Sequence, residues 1–93
     1  MKLKDEFYKT FNNLSKEKKQ ALNEKNYTQV EKCIWDIIHH YEQLPEAVQK
    51  MIGLNYGNYY YDLTCYQALQ GKKEEALKHF ELAYQNGNNN YNH

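Results

Sequence analysis

Apolar residues recur along this chain at intervals of three and four, without sustained alternation, and a single proline, Pro45, interrupts them. That spacing is the period of an α-helix rather than of a strand, so an all-α fold is expected. Phe7, Phe11, Leu14, Ala21 and Leu22 make the first stripe. Lys18 interrupts it, with an aliphatic stem that can lie along the apolar surface. A first helix is predicted from about Leu3 to Glu24, followed by a turn through Lys25, Asn26 and Tyr27.

Thr28 and Glu31 stand at the spacing of a capping box, in which each side chain satisfies an orphan backbone N–H of the other. They predict the start of a second helix, whose apolar face is Val30, Cys33, Ile34, Ile37, Ile38 and Tyr41. Pro45 ends it, because a residue preceding proline is pushed out of the helical region. The same proline suits the opening turn of a third helix, with Glu46 at its positive end. Val48, Ile52, Tyr56, Tyr59, Tyr60, Leu63 and Tyr66 carry the spacing on to Gln70. Unbroken, that helix would be about 39 Å long at about 1.5 Å per residue. Gly53 and Gly57 each cost about 1 kcal/mol relative to alanine in a helix, which predicts a bend or break between them. Gly71 closes it. A last helix is predicted from Lys73 to Gln85, with Ala76, Leu77, Phe80, Ala83 and Tyr84 as its stripe and Gly87 as its stop. The polar tail 88–93 is expected to be poorly ordered.

With 93 residues there is room for one domain, set at 1–87, and a thin core. No deep cofactor cavity is expected beside it, and no cofactor. The twelve basic residues are all lysine and balance twelve acids. Residues 1–25 carry seven lysines and four acids, and the remainder five and eight. Without arginine and without a basic face, nucleic acid is not an expected partner. Cys33 and Cys65 lie in apolar helical patterns with no CxxC spacing and read as buried, reduced thiols. No run reaches the roughly 18 apolar residues of a membrane span. The opening residues 1–6 lack the apolar core of a secretory leader. A cytoplasmic setting without membrane association is the expectation.

Four helices joined by short turns suggest two antiparallel hairpins. Their second members superpose at an offset of 46 residues, with Val30 on Ala76, Ile34 on Phe80, Ile37 on Ala83 and Ile38 on Tyr84. Such self-similarity marks helical repeats, each burying a face on the next. The segment from Tyr61 to Gly71, followed by Lys72-Lys73-Glu74-Glu75-Ala76-Leu77, resembles the tetratricopeptide repeat, in the version that closes bacterial repeat arrays. In that family Tyr60 stands where an aromatic anchors the first helix, Leu63 where a leucine packs the hairpin, and Gly71 at the turn. Ala76 matches the small residue of close helix approach, and Phe80 and Ala83 complete the pattern. The likeness covers residues 58–87. Thr64, Gln67 and Asn88 depart from it, Glu17 and Lys18 weaken it in the first hairpin, and the offset exceeds the usual repeat of about 34. The resemblance implies a right-handed superhelical fragment that binds a peptide or helix of a partner protein. Its concave positions would be Asn58, Tyr61 and Cys65 in the second hairpin and Asn12, Ser15 and Lys19 in the first. Lys19, Asn12 and Asn58 would make a partial carboxylate clamp, although Asp62 stands where the family often has asparagine.

Chemical sites are harder to assemble from these residues. His39 and His40 point about 100° apart on a helix and cannot chelate one ion from one face. Asp36 adds too few ligands, and His79 and His93 are isolated in sequence. No metal site is expected. Neither cysteine, nor Ser15, nor any threonine sits in a motif that supplies a base and an orienting third group. The chain is therefore read as non-catalytic. Two alternatives stand beside the binding module: a homodimer paired through exposed Leu77 and Tyr84 or through the first helix, and a small enzyme with a site assembled from scattered residues. Ten tyrosines, five of them from Tyr56 to Tyr66, are the most informative feature. Most fall on the core stripe and Tyr61 falls off it.

Overall fold

The computed structural model describes residues 2–87 and is all-helical, with five helices and no strand among those residues. They are α1 (Lys2–Asn23), α2 (Tyr27–Glu42), α3 (Glu46–Ile52), α4 (Tyr56–Leu69) and α5 (Lys73–Gln85). The chain divides into two compact units between Leu54 and Asn55. The expected tail 88–93 lies outside the described residues.

In the first unit α1 and α2 form an antiparallel hairpin. Phe7, early in α1, packs edge-on against Tyr41, late in α2, with ring centroids 6.0 Å apart. Farther along, the Cys33 thiol approaches Glu17 at 3.9 Å. The α2 seam is buried as its spacing predicts: Val30, Cys33 and Ile34 have no exposed surface, and Ile37, Ile38 and Tyr41 have little. Each large apolar side chain so buried contributes about 1.5–3 kcal/mol. On α1 only Phe7 and Ala21 are fully buried, while Phe11, Leu14, Lys18 and Leu22 are half-buried.

The start of α2 corrects the capping-box expectation. Asn26, not Thr28, is the N-cap, and its side-chain oxygen accepts the Gln29 N–H at 3.2 Å. Asparagine is among the strongest capping residues. Lys25 turns into the left-handed region at φ 57° and closes α1, so the Asn26 N–H returns to the Ala21 carbonyl at 2.8 Å. Glu31, assigned to the box, is buried and accepts the Trp35 indole N–H at 3.1 Å.

The long third helix of the sequence reading is two helices, which raises the count from four to five. Pro45 caps α3 at φ −56° and ψ 147°. Gly53 ends it in the left-handed region at φ 67°, where its N–H reaches the Gln49 carbonyl at 2.8 Å. Asn55 then caps α4 by accepting the Asn58 N–H at 3.2 Å. The turn before α3 is pinned from both sides. Tyr41 donates to the Gln49 carbonyl at 2.7 Å, and the Gln49 amide donates to the Leu44 carbonyl at 2.8 Å.

The second unit is the α4–α5 hairpin, closed by a short turn in which the Lys72 N–H bonds the Gln67 carbonyl at 2.9 Å. Leu63 is fully buried, and Ala76 and Ala83 are buried on α5. Their small size allows close helix approach. The α5 stripe read from sequence is otherwise rotated. Leu77, Phe80 and Tyr84 are exposed, at 71%, 39% and 53%, and His79 is buried in their place. A helix stripe that includes His79 runs through Ala76 and Ala83 at offsets of three and four, so α5 turns that face to α4 and presents Leu77 outward.

Candidate functional site

Beneath the hairpin surface lies a buried polar pair. His79 Nδ1 is 2.8 Å from Gln67 Oε1 and 3.0 Å from the Glu75 carbonyl oxygen. Both acceptors are carbonyl oxygens, which assigns the Nδ1–H to the histidine as donor. The Tyr60 ring stacks on the imidazole at 5.9 Å, and Tyr56 stacks on Tyr60 at the same separation. Burial of Gln67 and His79 is thus compensated by a bond between them. Gln67 and His79 are buried within this cluster, and Tyr56 and Tyr60 are half-buried over them.

On the same hairpin, α4 and α5 leave a groove of about 340 Å³ between Thr64, Ala68, Lys73, Ala76, Leu77 and Phe80. Its wall is almost wholly apolar. Thr64 contributes to that wall because its hydroxyl is turned inward, donating to the Tyr60 carbonyl at 3.0 Å. Lys73 contributes through its aliphatic stem. Leu69 and Tyr84 bring further exposed apolar surface to the same two helices. Single exposed leucines are ordinary, but an apolar groove bordered by several large side chains is a feature of binding surfaces.

The residues assigned from sequence fall on two helices in two units. Asn58, Tyr61 and Cys65 share one face of α4 at i, i+3 and i+7; Asn58 is exposed and the other two are half-buried. Tyr61 precedes Thr64 by three residues and Cys65 precedes Ala68 by three, but neither they nor Asn58 are among the residues that line the groove. Asn12 and Lys19 are exposed on α1 and Ser15 is half-buried. The sequence reading did not combine Thr64, Ala68, Ala76, Leu77 and Phe80 into a groove.

Neither cysteine is in a disulfide. Burial pushes the Cys33 thiol up, and the neighbouring Glu17 carboxylate adds to the shift. Burial also raises Cys65, with Asp62 adding to it and a side-chain hydrogen bond to Tyr61 opposing it. Both shifts run opposite to the activation of a thiolate nucleophile. His39 stacks on Trp35 at 5.8 Å, while His40 lines a separate cleft of about 260 Å³ with Leu3, Glu6, Phe7, Thr10, Gln43 and Leu44. The two imidazoles therefore serve different surroundings, as their spacing requires. Among the described residues, no group of three or more His, Cys, Asp or Glu could hold a metal ion. None of their helices is long and apolar enough to cross a membrane.

No family model, curated protein or solved structure matches the chain.

Proposed function

We propose that this protein is a non-catalytic interaction module that takes a peptide or helix of a partner protein on its α4–α5 hairpin. The observation that carries the reading is the apolar groove lined by Ala68, Ala76, Leu77 and Phe80, with Leu77 left 71% exposed beside it. A helix presenting apolar residues at offsets of three, four and seven buries them in such a groove. Tyr61, Asn58 and Cys65, on a stripe of α4 outside the groove's lining, are read as supplying further contact area and hydrogen bonds at low entropic cost. Each hairpin, α1–α2 and α4–α5, is read as one tetratricopeptide-like repeat, with Asn12, Ser15 and Lys19 as the corresponding stripe on α1. The raised thiols of Cys33 and Cys65 argue against either as an activated nucleophile, which requires the opposite shift.

The test is affinity capture from a lysate of the source cells with three baits: the unaltered chain, Leu77→Asp and Tyr61→Ala. The unaltered chain is expected to enrich a partner that Leu77→Asp loses and Tyr61→Ala retains weakly, with unchanged helical circular dichroism in all three. Undiminished capture by Leu77→Asp refutes the groove as the binding surface. Exposure of Leu77 and Tyr84 also supports self-association as a second reading. Light scattering separates the two, because a monomer at every concentration excludes the second.

A further inference from the structure

We draw no further inference here: the strongest candidate, the apolar groove between α4 and α5, belongs to the site already described, and nothing in the structure shows what covers it.

Discussion

Leu63 and Leu77 are both leucines on the α4–α5 hairpin, and truncating each to alanine separates the core of that hairpin from its surface. Leu63 has no exposed surface. Leu63→Ala removes its transfer energy and leaves a cavity, a loss of about 2–5 kcal/mol. Leu77 is 71% exposed, so less than a third of it is shielded. Complete burial of a leucine side chain is worth about 1.5–3 kcal/mol, which limits Leu77→Ala to a loss of about 1 kcal/mol. Alanine's higher helix propensity offsets part of even that loss. For a domain of this size 1 kcal/mol moves the midpoint by about 4–8 °C. Thermal unfolding followed by circular dichroism should therefore place Leu63→Ala at least about 8 °C below the parent. Leu77→Ala should lie within about 8 °C of it, and closer to the parent than Leu63→Ala in every preparation. Equal drops for the two variants would mean that Leu77 is a core residue, and the groove would lose its principal wall.

The helix starts and the thiols give independent checks. Asn26→Ala and Asn55→Ala should each cost about 1 kcal/mol by denaturant unfolding, whereas Thr28→Ala should stay within about 0.5 kcal/mol. A larger loss for Thr28→Ala than for Asn26→Ala would restore the capping box. Because burial and Asp62 raise the Cys65 thiol, its alkylation by iodoacetamide should reach half its maximal rate at higher pH than that of an unstructured cysteine peptide. Stability gained by keeping that thiol neutral is present below the unfolded-chain value and lost as pH rises through the raised folded value. Alkylation at neutral pH as fast as in the peptide would refute the shift.

The α2 seam was legible because the apolar residues from Val30 to Ile38 recur at helical spacing on one face; the burial of Glu31 beside them, bonded to Trp35, was not. The Gly53–Gly57 interval likewise signalled the interruption, although Asn55 as the cap that restarts the helix was not read. The face of α5 was misread for a physical reason. Leu77, Phe80 and Tyr84 outweigh two alanines on any hydrophobic scale, yet close helix approach favours the small residues Ala76 and Ala83. His79 joins them because Gln67, twelve residues earlier, supplies its bond. A pairing between helices leaves no trace in the periodicity of either. In the sequence Gln67 stands only as a departure from the family pattern. The groove escaped for the same reason, being formed by two helices whose rotation about their own axes the sequence does not state. Tyr61 and Cys65, chosen through the family resemblance, lie on α4 outside the residues that line it.

Methyl NMR of the chain during titration with its captured partner tests the interaction surface most directly. Resonances of Ala68, Ala76 and Leu77 should shift or broaden in proportion to bound fraction, while those of Val30 and Ile37 in the α2 seam stay in place. Perturbation of the α2 methyls with Leu77 unmoved would contradict binding at the hairpin groove.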